Sequence, residues 1–191
     1  MRSPLRMVIL GRLGSGQGPQ SALVAAAFGC VHVSTGDVLR AAVAEGTELG
    51  RQAAEIMESG GLVGDDIMNG VVAERLAADD IVTGGVLLDG YPRTADQADA
   101  LERILADLGQ SLTLAVDLDV PVDEVRARML GRGREDDTPE AIDRRLALYE
   151  EQTRPLLDWF STRGLLVTVD GLGTEDEVFD RLHEAILDRL A

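Results

Sequence analysis

Apolar and polar positions along the chain alternate between two rhythms. Short runs dense in Val, Leu and Ile at residues 6–10, 31–34, 86–89, 112–117 and 165–169 have the length and β-branched content of strands. Between them the apolar residues recur at three- and four-residue spacing, which predicts helices over 20–28, 37–45, 47–59, 65–79, 94–108, 122–130, 139–163 and 174–190. Thr94 with Gln97 and Thr174 with Glu177 have the spacing of capping boxes and mark two helix starts. Strand followed by helix, repeated, predicts an α/β fold with a five-stranded parallel sheet. Two stretches break the alternation. Residues 34–63 place two or three short helices after the second strand with no strand among them, a flap beside the sheet. Residues 131–138 form a short polar loop of two Arg and three acids between two helices.

Composition narrows the class. The chain has 191 residues, 45% hydrophobic, 27% charged and 3% aromatic, enough for one buried core and one domain over 1–191, and too apolar for a disordered chain. No apolar run approaches a membrane span and no leader pattern stands at the start, so a soluble, cytoplasmic protein is expected. Cys30 is the one cysteine and His32 and His183 the only histidines, which predicts neither a disulfide nor a zinc cluster. The net charge of −16 argues against nucleic acid as a partner and requires any bound phosphate to be held by local positive charge. All 18 basic residues are Arg; there is no Lys.

The first candidate site follows the first strand, where Gly11-Arg-Leu-Gly-Ser-Gly-Gln-Gly-Pro-Gln20 leads into a helix. Glycines at 11, 14, 16 and 18 suit a loop whose backbone N–H groups cradle phosphate at a helix N-terminus; a glycine-rich turn without a ligand is the plainer alternative. The second candidate, Leu87-Leu-Asp-Gly-Tyr-Pro-Arg-Thr94, lies at the C-terminal end of a strand, where open α/β sheets bind ligands. Asp89 could hold Mg²⁺ through water and Arg93 could grip a phosphate bidentately. Ser34-Thr-Gly-Asp37, with Arg40 one helical turn on, occupies another strand end.

These segments together resemble the adenylate kinases. The resemblance runs through Gly11 to Gln20, Ser34 to Asp37, Leu39-Arg40, Leu62-Val63, Asp89-Gly-Tyr-Pro-Arg93, Gln97, Gly131-Arg-Gly-Arg134, Asp136-Asp137 and Arg144-Arg145-Leu146, in the family's order over nearly the whole chain. It implies a P-loop NTPase-type three-layer fold with an AMP-binding flap at 34–63 and a short lid at 130–140, and a transferase that makes two ADP from Mg-ATP and AMP. The short lid resembles that of members lacking a zinc-binding insertion, which look monomeric. By the same resemblance, Gly14, Ser15, Gly16, Gln17, Gly18, Pro19, Arg128, Arg132 and Gly173 would bind ATP. Thr35, Arg40, Gly61, Leu62, Val63, Gly90, Tyr91, Pro92, Arg93, Gln97, Arg134 and Arg145 would bind AMP, with Gln97 reading the adenine edge. Gln17, Arg93, Arg128, Arg132, Arg134 and Arg145 would be catalytic, and Asp89 would hold Mg²⁺ through water.

The chain departs from the family in the cradle itself. Gln17 stands where the resemblance leads one to expect lysine, and Pro19 where it leads one to expect threonine. Glutamine keeps a donor without the charge, and Pro19 removes a backbone N–H while remaining compatible with a first helical turn. Arg12 either bends over the phosphates in place of the missing cation, or points to solvent or pairs with one of the many acids. An active adenylate kinase relying on arginines and Mg²⁺ is the expectation; the alternatives are a nucleotide-binding relative with little turnover and a kinase for another nucleoside monophosphate.

Overall fold

The computed structural model describes residues 4–59, 63–135 and 137–191. Five strands, β1 (Arg6–Gly11), β2 (Val31–Ser34), β3 (Val86–Asp89), β4 (Leu114–Asp119) and β5 (Leu166–Asp170), form one parallel sheet in the order β2-β3-β1-β4-β5. Along β1 alternate side chains enter opposite layers. Val8 and Leu10 join Leu88, Leu101, Leu105 and Phe160 on one face; Met7 and Ile9 join Val24, Val116, Leu182 and Ile186 on the other. Burial on both faces is why these strands read as continuous apolar runs. The strand predicted at 112–117 lies two residues later, as β4, because Thr113 is spent on Arg6, its N–H donating to the Arg6 carbonyl and its hydroxyl accepting the Arg6 N–H.

Helix α1 (Gln17–Phe28) follows the glycine loop, and α2 (Thr35–Glu45) and α3 (Glu48–Glu58) follow β2. α4 (Asp65–Leu76) stops three residues short of the predicted end, and a separate helix, α5 (Asp79–Gly84), begins after Ala77 and Ala78. Arg75 reaches across this break to both oxygens of Asp80, at 2.8 and 2.7 Å. The acids at 79–80 thus start a helix instead of ending one, in keeping with their place at a positive helix N-terminus. α6 (Ala95–Asp107) precedes β4; α7 (Val122–Gly131) and α8 (Pro139–Leu148) carry the lid segment; α9 (Arg154–Thr162) and α10 (Glu175–Leu190) flank β5.

The single helix predicted over 139–163 is divided by a π-helical turn, Tyr149–Thr153, immediately before Pro155 in the first turn of α9. Proline cannot donate to the carbonyl four residues back, so the ladder widens there. α7 and α8 bury a small cluster of their own, Val120, Val125, Met129, Ile142 and Leu146, separate from the two layers on the sheet. Of the two capping boxes, Thr174–Glu177 forms in full. At α6 only half forms: Thr94 accepts from the Gln97 N–H, while the Gln97 side chain is committed elsewhere. Among the described residues no helix is long and apolar enough to cross a membrane.

Candidate active site

The sheet order places β1 between β3 and β4, so the connection from β1 runs toward one edge and that from β3 toward the other, the switch in direction at which open α/β sheets form a crevice at the C-terminal ends of their strands. The loop from Gly11 to Gly16 fills this point. Gly14 and Gly16 have φ of +90° and +91°, a region that costs a side-chain-bearing residue energy but not glycine. A Cβ on Gly16 would meet nothing within 4 Å, so the loop presents bare backbone to open space. The N–H groups of Gln17 and Gly18 precede the first intrahelical bond, Gln20 N–H to Gly16 carbonyl at 3.2 Å, and need an outside acceptor. Pro19 supplies none. The Ser15 hydroxyl is buried against Gly11 with no hydrogen-bond partner. Unmatched donors at a helix N-terminus suit an anion.

Gln17 does not face that space. Its side-chain amide donates one hydrogen to Asp89 Oδ1 at 2.8 Å and the other to the Ile9 carbonyl at 3.0 Å, both toward the sheet. Asp89 Oδ2 lies 3.2 Å from His32 Nε2. The carboxylate at the end of β3 is therefore held from β2 on one side and α1 on the other. His32 was not among the sequence candidates; its only signal is its place in β2 two residues before Ser34. Among the described residues no three His, Cys, Asp or Glu side chains group to hold a metal. One fixed, partly exposed carboxylate fits Mg²⁺, a hard ion that keeps most of its water and needs few protein oxygens.

Arg12 takes the second of its two predicted courses. Its guanidinium donates to Glu150 Oε1 at 2.7 and 3.0 Å, to Asp119 Oδ1 at 3.3 Å and to the Val120 carbonyl at 3.1 Å, and lies over the Tyr149 ring. It is no substitute for a phosphate-binding cation. Arg128 does reach the loop, with Nη1 3.4 Å from the Ser15 carbonyl and Nη2 3.4 Å from that of Gly171, while Glu124 holds its Nε at 2.8 Å. Gly173 stands nearby on the β5–α10 connection, and a Cβ there would lie 3.0 Å from Arg181 Nη2. Arg181 is tied to the Asp170 carbonyl at 2.7 Å and lines this edge.

Across the crevice, Thr35 and Gly90 touch: a Cβ on Gly90, whose φ is +84°, would come within 2.9 Å of Thr35 Oγ1. Arg93 lies beside them, its Nε donating to the Gly90 carbonyl at 2.9 Å. Tyr91 is buried and donates its hydroxyl to Asn69 at 2.6 Å; Pro92 follows it through a cis peptide. Burial, with Asp65 adding to it, pushes the Tyr91 phenol up, so it stays a donor. Gln97 accepts from the Arg93 N–H at 2.7 Å and donates to Asp65 at 2.8 Å, which leaves one N–H and one lone pair of its amide for a ligand. Arg40 pairs with Asp37 on the exposed face of α2. Val63 stands just before α4; Gly61, Leu62 and Asp136 lie outside the described residues.

In the lid segment Arg132 and Arg145 converge on one carboxylate. Asp137, with its side chain 1% exposed, accepts from Arg132 on both oxygens and from Arg145 at 3.0 Å. The Arg132 hydrogen bonds, with Arg145 behind them, hold its carboxyl below the usual range. Arg134 is exposed, with no side-chain bond among the described residues, and its carbonyl accepts the Asp137 N–H at 3.0 Å. Arg132 and Arg145 are thus brought together on Asp137.

Below the loop, Asp117 is 7% exposed, next to Asp119. Burial, reinforced by Asp119 and opposed by Arg12, pushes its pKa from an ordinary 3.8 to about 6. A carboxyl raised on folding keeps its proton in the native state after the unfolded chain has lost it, so stability falls as pH rises from about 4 to about 6. A shift of that size costs roughly 2 to 3 kcal/mol at neutral pH. Asp117→Asn is accordingly expected to raise the melting temperature by several degrees near neutrality and to leave it nearly unchanged near pH 4, as thermal scans at the two pH values would register.

A parallel α/β sheet with a glycine-lined anion cradle at the end of β1 and an acid at the end of β3 defines a P-loop phosphate-binding protein. Comparison with known sequences is more specific. The family described as "Adenylate kinase" matches residues 9–165. A Stenotrophomonas maltophilia (strain R551-3) protein named "Adenylate kinase" is 45% identical over 186 residues, covering 95% of this chain and 99% of its own. One of the same name from Nocardia farcinica (strain IFM 10152) is 47% identical over 182 residues at the same coverage, and one from Xylella fastidiosa (strain 9a5c) is 45% identical over 186. The chain belongs to the adenylate kinase family, and it is an enzyme of the phosphotransferase class.

Proposed function

We propose that this enzyme catalyses Mg²⁺-dependent transfer of the γ-phosphoryl group of ATP to AMP, giving two ADP, with arginines and no lysine at the phosphates. The observation that carries the reading is that two phosphate-competent stations open at the same end of the sheet on either side of Asp89. One is the loop Gly14, Ser15, Gly16, Gln17, Gly18 and Pro19 with Arg128; the other is Thr35, Gly90 and Arg93.

In this reading ATP lies along the loop toward Arg132 and Gly173, and AMP lies with Thr35, Arg40, Gly61, Leu62, Val63, Gly90, Tyr91, Pro92, Arg93 and Gln97. A phosphate oxygen of AMP forms the new P–O bond as the bond to the β–γ bridging oxygen breaks, and ADP leaves with that electron pair. The transition state spreads charge over oxygens and asks mainly for positioning and neutralisation. Arg93 orients the acceptor phosphate; Arg128 holds the donor at the loop. Arg132, Arg134 and Arg145 would close over the transferred group, the first and last exchanging Asp137 for phosphate. Gln17 acts on Asp89 and leaves the phosphate space to backbone N–H groups. Asp89 would hold Mg²⁺ through water, and the ion would supply charge neutralisation at the donor phosphates. The protein is read as working in the cytoplasm as a monomer.

A coupled assay of ADP formation from ATP and AMP with Mg²⁺ is the test. Turnover that requires all three components is expected. Tight binding of a bisubstrate dinucleotide with no turnover would replace the reading with that of a nucleotide-binding relative, and preference for another monophosphate would reassign the acceptor.

A further inference from the structure

The Arg12 guanidinium joins three parts of the chain. It belongs to the loop after β1. Through Asp119 Oδ1 at 3.3 Å and the Val120 carbonyl at 3.1 Å it grips the link from β4 to α7. Through Glu150 Oε1 at 2.7 and 3.0 Å, and the Tyr149 ring centred 5.4 Å away, it grips the π-helical turn that ends α8. Those two points are the two ends of the α7–α8 arm. The arm buries its own cluster and carries Arg128, Arg132 and Arg145. Its body-side contacts with the loop are Arg12 at the base, Met129 beside Gly14, and Arg128 on the Ser15 carbonyl. Arg12 is only 16% exposed, and a planar guanidinium can serve several acceptors at once where an ammonium could not hold the same fork. π turns interrupt helices at sites of function more often than elsewhere, and this one is where the arm rejoins the body.

We propose that Arg12 is a positioning residue, a clasp that fixes both ends of the α7–α8 arm to the nucleotide loop and so sets the reach of the arm's arginines over the donor phosphates. The proposal rests on the ATP site of the reading above. It touches no part of the α2–α3 side, so its effects fall on one substrate. Arg12→Ala, which removes the fork, and Glu150→Gln, which neutralises the π-turn end while leaving Asp119 and Val120 in place, are compared with the unaltered enzyme for ATP and AMP binding by calorimetry with Mg²⁺, and for amide hydrogen exchange.

The expected result is an ATP dissociation constant raised about threefold to thirtyfold in both variants, within the span of coupling between contacting residues. AMP binding should be unchanged, and exchange should be faster across 122–153 but not across 35–58. The double variant should show little beyond Arg12→Ala alone, and Arg12→Lys should restore binding only in part. Unchanged ATP affinity and exchange in folded Arg12→Ala or Glu150→Gln would overturn the proposal. Equal weakening of both nucleotides alongside a lowered melting temperature would also overturn it, since that is the mark of general destabilisation. An unaltered enzyme that binds neither nucleotide would bring down the adenylate kinase reading first, and the clasp with it.

Discussion

Gln17→Lys is expected to raise the maximal rate of ADP formation by roughly 10- to 100-fold. The reason lies in the two hydrogens of the Gln17 amide, both spent on Asp89 and the Ile9 carbonyl. Nothing in the side chain is left to meet a developing phosphate charge, and Arg12 is committed to Glu150 and Asp119. An ammonium about 4 Å from a phosphate oxygen, at an effective dielectric near 20, gains about 4 kcal/mol before desolvation. If half of that acts only in the transition state, the rate changes by between one and two decades at 1.36 kcal/mol per decade. Steady-state kinetics at saturating ATP and AMP measures it directly. A collapse of activity would mean that the Asp89 contact of the glutamine is itself needed, and that lysine, by pairing with Asp89, disrupts it.

Arg93→Ala should lower kcat/KM for AMP by roughly 30- to 4000-fold, the cost of truncating one member of a close charge pair at about 2 to 5 kcal/mol. The guanidinium is steered by the Gly90 carbonyl at 2.9 Å and by the Gln97 clamp on the Arg93 N–H, so its direction is set before any ligand arrives. Such preorganisation is what gives an arginine its effect on an anion. KM for ATP should move little, because Arg93 makes no contact with the glycine loop or with Arg128. Initial rates with AMP varied at fixed ATP, then the reverse, separate the two; unchanged AMP kinetics would remove Arg93 from the acceptor site.

Much of this architecture was readable from the chain alone, for identifiable reasons. Strands buried on both faces leave dense apolar runs, and glycines at 14, 16 and 90 leave a composition that only positive φ or close backbone approach explains. What escaped depends on which of several partners a side chain takes, some close in sequence and some far. The break between α4 and α5 turns on Arg75 choosing Asp80, and the π turn on how Pro155 meets the preceding ladder. The Thr94 capping box formed only by half because the Gln97 side chain is taken by Arg93 and Asp65, the latter 32 residues away. His32 gave no periodic or motif signal, and only the register that pairs Ser34 with Asp89 brings it to the carboxylate. The fate of Arg12 was open until Glu150, 138 residues on, came beside it.

The private cluster of α7 and α8 has a bearing on how this architecture can vary. Because Val120, Val125, Met129, Ile142 and Leu146 pack on one another instead of on the sheet, the tip between the two helices answers to no strand register. Residues could be added to or deleted from that tip at a closure cost that grows only slowly with length. The fold is in this sense modular: the number of residues between α7 and α8 is uncoupled from the register of the sheet.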